Sequence, residues 1–152
     1  AAAVSHATRG HVRKPAGQAL IYPGLGGDRK KGSYVAHAEA PMLTMRDLEF
    51  YRHVRTGGAD ATGVITLSPL ADADFSNLPP TVIVTAECDP LSSDGEAYRD
   101  RIVAAGGHAF WHEEKGLVHG YLRARHTVAR ARASFTRIVE AVSALGRGEW
   151  PY

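Results

Sequence analysis

The sequence has a single cysteine, Cys88, which excludes an internal disulfide and makes a reducing, cytoplasmic location the expectation. No apolar run approaches the ~18 residues of a membrane span, and no charged start leads through an apolar stretch to a small-residue cleavage site. A membrane span is therefore not expected. Charge of one sign is missing too: 18 Lys and Arg stand against 16 Asp and Glu, a net +2 spread along the chain. That spread lacks the dense basic patch nucleic acid requires, so no nucleic-acid partner is expected. Internal repeats, low-complexity tracts and linkers are absent. So is an initiator Met: the chain opens Ala1-Ala2-Ala3-Val4-Ser5-His6-Ala7, a helix already under way with no Ser, Thr, Asp or Asn cap before it. The expectation is a fragment whose helix start has been removed.

What is present is enough for one folded domain. Of 152 residues 44% are hydrophobic and 22% charged, which excludes disorder and supplies a core. After the opening helix, Gln18-Ala19-Leu20-Ile21-Tyr22 is a short apolar run closed by Pro23-Gly24 and reads as a buried strand. Residues 24–42 hold four glycines and Lys30-Lys31 and read as a surface excursion. Thr44-Met45-Arg46-Asp47 resembles a capping box, and Met45, Leu48, Tyr51 and Val54 recur at threes, predicting a helix that ends near Gly57. Thr81-Val82-Ile83-Val84-Thr85 predicts a central strand. Ser93-Asp94-Gly95-Glu96 reads as another capping box, opening a helix that Gly106-Gly107 stops. Residues 108–115 form a predicted third strand. A last helix carries Val128, Ala131, Phe135, Ile138, Val142 and Leu145 on its inner face, with Arg130, Arg132 and Arg137 solvated, and closes at Gly146. This alternation implies an α/β layered domain with a mainly parallel sheet, whose working residues lie past the carboxyl ends of the strands.

Two of those ends carry chemistry. The central strand runs into Glu87-Cys88-Asp89-Pro90-Leu91, where Pro90 stiffens the turn after an acid. The final strand runs into Gly116-Leu117-Val118-His119-Gly120-Tyr121, where two glycines let the backbone bend around a histidine. One helix and one strand fill the interval, which brings both loops to one sheet edge. A carboxylate that holds one imidazole tautomer while the other ring nitrogen takes a proton is the second half of a nucleophile relay. The first half is missing, since the chain has no G-x-S-x-G.

These residues resemble the hormone-sensitive-lipase-like esterases of the α/β-hydrolase superfamily. The resemblance runs over Ala16 to Pro23, Ser68-Pro69-Leu70, Leu78-Pro79-Pro80, Glu87 to Leu91 with Asp94-Gly95-Glu96-Ala97-Tyr98, and Val118-His119-Gly120-Tyr121, in that family's order. It implies a three-layer α/β/α sandwich: residues 1–152 as the C-terminal half of an α/β-hydrolase domain, with the serine elbow and the oxyanion loop upstream. It implies Asp89 as triad acid and His119 as triad base of a carboxylic-ester hydrolase for short to medium acyl esters. Residues 41–57 become a lid or pocket helix, with Leu43, Phe50, Tyr51, Leu91 and Val118 as pocket residues. The partners implied are an ester substrate, the N-terminal half or a complementary chain, and a second copy paired through the 108–115 edge strand. No cofactor is implied, because triad hydrolysis needs only water.

Other readings compete. A half-sheet without chemistry would serve as a binding or dimerisation module through an exposed strand edge. His108, His112, His119 and His126 lack metal-ligand spacing, so no metal is expected. Cys88 as nucleophile would point to the face opposite Asp89, and a buried structural thiol is the expectation. Gly24-Leu25-Gly26-Gly27-Asp28-Arg29 fails the phosphate-loop pattern at Arg29 and reads as a flexible loop.

Overall fold

The uninterrupted β-branched run becomes β2 (Thr81–Cys88), the middle strand of a three-stranded sheet in a computed structural model that describes residues 1–152. It pairs in parallel with β1 (Gln18–Ile21) and with β3 (Ala109–Val118). Residues 81–86 of β2 are all buried, because the strand is covered on both faces. Ile83 faces α1 (Ala2–Thr8) and α4 (Ser92–Ala104), packing with Leu20, Tyr98 and Ile102. Val82 and Val84 face α5 (Ala129–Gly146), packing with Ile138, Ala141 and Leu145. The result is helix, sheet, helix: three layers set by the period of 2 in β2. Ile83 is fully buried, and its truncation to Ala would cost about 3 kcal/mol. No helix is long and apolar enough to cross a membrane.

Between β1 and β2 run α2 (Ser33–Ala36), α3 (Met45–Thr56) and a short 3-10 turn at Pro69–Ala71. α3 starts as the sequence predicts: the Asp47 N–H donates to the Thr44 hydroxyl, and the Thr44 N–H donates to the Asp47 carboxylate. It lies off the sheet and buries no residue fully, with Met45 and Leu48 resting on a small cluster of Tyr34, Leu43 and Leu91.

Four expectations change and one is refined. Residues 24–42 are mostly exposed, as a surface excursion is, but they are pinned to the body: Leu25, Ser33, Tyr34 and Ala40 are buried, and Asp94 accepts from the Leu25 and Gly26 N–H groups and the Tyr34 hydroxyl. Those N–H groups are therefore spent on an internal carboxylate, and burial pushes Asp94 above the usual carboxylate range despite these bonds. For the same reason no capping box forms at Ser93: α4 begins at Ser92 without a side-chain cap, and the Ser93 hydroxyl instead accepts from the Ser33 N–H. The buried stripe of α5 is Ala131, Ser134, Ile138, Ala141, Ala144 and Leu145, while Val128, Phe135 and Val142 are exposed. Small residues let α5 approach closely, and Ser134 turns inward to bond the Tyr121 hydroxyl at 2.6 Å. Arg137 is not simply solvated, because it pairs with Glu114 of β3 at 2.5 Å. Cys88 is half-buried, since it lies at the strand end where cover thins.

Candidate active site

The pairing of β2 with β3 runs evenly to Ala86 opposite Glu114, then resumes at Cys88 opposite Val118. Two residues of β2 therefore span the same distance as four of β3, and the surplus is a bulge at Lys115–Leu117. Gly116 sits at its crest with φ +69°, a conformation that only glycine adopts without strain. Glu87 braces the bulge: one carboxylate oxygen accepts the Gly116 N–H at 2.8 Å and the other the Lys115 ammonium at 3.1 Å. These bonds hold the Glu87 carboxyl below its ordinary range.

The bulge sets the register of the residues beyond it. Immediately past the Cys88/Val118 pair, Asp89 and His119 stand side by side, with His119 Nδ1 2.7 Å from Asp89 Oδ2. With an even ladder Cys88 would face Gly116, and the histidine would lie two residues too far along. Asp89 is fully buried, and its other oxygen accepts the Leu91 N–H at 2.9 Å. The carboxylate is thus satisfied on both sides without a lysine or arginine. The 26% exposed His119 ring bonds only to Asp89, so Nδ1–H donates to the acid and the Nε2 lone pair is left open.

A third strand end joins them. Tyr22, directly after β1, holds its ring 4.7 Å from that of His119 and 5.6 Å from that of Tyr121. Its φ of +35° is a strained value for a bulky residue, and the Tyr22 N–H to Val84 carbonyl bond at 2.6 Å keeps it there. Burial pushes its phenol above the ordinary range, and the Asp89 charge adds to that push against Arg123.

His119 and Tyr22 open onto a cavity of about 590 Å³. Leu43, Tyr51 and Leu91 line it with them. Phe50 does not: it is 62% exposed and lies over a separate depression with Thr44 and Asp47. Val118 lies on β3 outside the cavity lining. The sequence pattern gave no role to Tyr22, to Glu87 or to three cavity arginines, Arg29, Arg52 and Arg55. Tyr22 and Glu87 carried a signal, their places at strand ends. Of the remaining histidines, His108 packs on Trp150 and His112 approaches Glu114, and no three His, Cys, Asp or Glu side chains converge as a metal site would require.

Chemically, an imidazole fixed at Nδ1 by a buried carboxylate and open at Nε2 can accept a proton from a hydroxyl and return it to a leaving group. Comparison with known proteins agrees with the three-layer fold described above. A family described as having the alpha/beta hydrolase fold matches residues 1–123. The carboxylesterase NlhH of Mycobacterium tuberculosis is 34% identical over 136 residues, covering 86% of this chain and 39% of that protein. An ethyl acetate hydrolase of Pseudomonas putida is 28% identical over 137 residues, covering 90% of this chain and 43% of that protein. A crystal structure of a thermostable esterase from Pseudomonas putida superposes with a TM-score of 0.80 at 27% identity, covering 89% of this chain and 44% of that one. The chain thus spans about two fifths of the length of these curated relatives.

Proposed function

Because the chain belongs to the alpha/beta hydrolase fold family, we propose that it carries the acid and the base of a serine carboxylic-ester hydrolase acting on short to medium acyl esters. The observation that supports this most directly is the Asp89–His119 pair at 2.7 Å, with the acid buried and Nε2 open beside a cavity. The nucleophile is a serine from a segment outside these 152 residues. His119 Nε2 takes the serine proton as Oγ attacks the ester carbonyl, and Asp89 stabilises the imidazolium so formed. The imidazolium then protonates the leaving alcohol, and the resulting acyl-serine is hydrolysed by a water that His119 deprotonates in turn. α3, within residues 41–57, and Leu91 form part of the acyl-binding wall. Esterase names among the relatives support the reaction class.

The test uses a serine-bearing form of the protein and a p-nitrophenyl butyrate assay beside labelling with an activated-serine phosphonate. His119→Ala should abolish nearly all turnover and labelling. Equal hydrolysis by His119→Ala and the unchanged protein would sink the assignment. A second reading, a strand-edge binding or dimerisation module, draws on β1 pairing only with β2 and β3 being the opposite edge. Analytical ultracentrifugation decides it: self-association lost on placing Pro in residues 108–115 would favour the dimer through that edge.

A further inference from the structure

The cavity beside His119 is lined by Arg29, Arg52 and Arg55, and by no Asp or Glu. None of the three guanidiniums makes a salt bridge within the chain, although it contains 16 acids. Arg52 and Arg55 stand three apart on α3 and so present neighbouring like charges on one helix face, an arrangement that costs stability unless an anion lies between them. Arg29 reaches the same cavity from the loop after β1, and it shares a second, adjoining groove with Arg52. Glu49 lines only the adjoining groove, and Asp60, whose carboxylate feels the Arg52 charge, bonds its own Thr62 outside the cavity lining. Three exposed cations lining one concave, partly apolar wall offer an anion subsite, since a guanidinium binds a carboxylate through two parallel hydrogen bonds.

Resting on the esterase reading above, we propose that the site selects esters bearing a second, negatively charged group, a carboxylate held by Arg29, Arg52 and Arg55 while the ester carbonyl lies at His119. The cavity volume of about 590 Å³ accommodates such a molecule. The apolar part of the wall, Leu43, Leu91 and Tyr22, takes the methylene chain between the two ends. Charge then does what apolar burial cannot: it fixes which end of the substrate meets the base and raises the local concentration of anions.

The decisive probes are monoethyl glutarate and ethyl valerate, which match in length and differ in the terminal carboxylate. Titrated against the 152-residue chain and followed by the nuclear magnetic resonance shifts of the His119 ring, the anionic ester should bind about tenfold more tightly at low salt. That advantage should shrink as ionic strength rises. Combining Arg52→Gln with Arg55→Gln should remove most of the advantage, and both residues lie on an exposed helix, so thermal melts check that the fold survives. Equal binding of the two esters, an advantage indifferent to the arginines, or binding of neither would overturn the proposal. The esterase reading is tested separately in the serine-bearing form: His119-dependent hydrolysis of ethyl valerate without anionic preference keeps that reading and discards this one. Anion binding at the arginines without hydrolysis of either ester discards the esterase reading.

Discussion

His6 and His119 each place Nδ1 2.7 Å from an aspartate oxygen, Asp72 and Asp89 respectively, yet the two pairs are built for opposite ends. The His6 side chain is 1% exposed, its Nε2 is bonded to the Tyr98 hydroxyl at 2.9 Å, and its ring packs edge-on to Phe75. Its acid is shared: Asp72 also binds Arg9 at 2.5 Å and accepts the Asp74 N–H at 3.0 Å. At His119 the second nitrogen is open, and the acid answers to no fixed cation. Under the proposed esterase function, the geometry of a His–Asp pair is therefore not by itself what makes a base. What matters is a free nitrogen facing a cavity, and a carboxylate whose charge is not already neutralised when an imidazolium forms.

Exchanging each acid for its amide breaks the comparison most sharply. In a serine-bearing form, Asp89→Asn should lower kcat by about 10⁴-fold, because the amide favours the wrong tautomer and cannot stabilise the imidazolium. Asp72→Asn should leave kcat within about threefold, since nothing in that pair faces a substrate. Steady-state hydrolysis of p-nitrophenyl butyrate by both variants measures the contrast, and comparable losses would remove the distinction drawn between the pairs.

Stability should rank them the other way. His6→Ala strands the buried Tyr98 hydroxyl and leaves Asp72 Oδ2 with Arg9 as its remaining partner, where α1 meets α4 and the 3-10 turn, and should cost about 2 kcal/mol, read from urea midpoints. The pH dependence originates in Asp72. Burial raises its affinity for a proton, but the Asp74 N–H, Arg9 and His6 more than offset this and hold the carboxyl well below its ordinary range. A carboxyl depressed in the folded state contributes stability that is complete above its unfolded value of about 3.9 and lost as pH falls below it. Melting midpoints should therefore drop steeply between about pH 4 and pH 2, and Asp72→Asn should flatten that slope. An unchanged slope would show that another acid governs the transition.

The legible parts of this molecule are those where one local rule acts alone. The run 81–85 announces β2 because nothing but a doubly covered strand tolerates so many β-branched residues, and Thr44 with Asp47 announces α3 because both partners of the capping box lie within one turn. Asp89 and His119 were visible as residues at strand ends. What was not visible is every contact that depends on a distant partner. Asp94 lies in the predicted Ser93–Glu96 capping box as an acid of the first helical turn and instead turns to the loop at Leu25 and Gly26, whose position no local pattern encodes. Arg52 and Arg55 sit on the exposed face of α3, and only the placement of the loop carrying Arg29 beside the same cavity groups them. Tyr22 needed knowledge that β1 ends beside His119, just past the end of β3, across β2.

The β3 bulge was invisible for the same reason, and it supplies the finest test of the comparison. The His6–Asp72 pair joins a helix to a 3-10 turn and needs no strand register, whereas the His119–Asp89 pair exists only because β3 spends two extra residues before Val118. Glu87 is a positioning residue for that register through its bonds to Gly116 and Lys115. Glu87→Ala should let His119 drift relative to Asp89 and lower kcat about tenfold with KM little changed, since small misplacements of reacting groups are costly. Lys115→Ala leaves the bond from the Gly116 N–H to Glu87 in place and should change kcat by less than about twofold. Glu87→Gln, which can still accept that N–H, should recover most of the loss. Equal effects of Glu87→Ala and Lys115→Ala, or no rescue by the amide, would mean that the bulge is held by the strand ladder alone and that Glu87 only supports the surface.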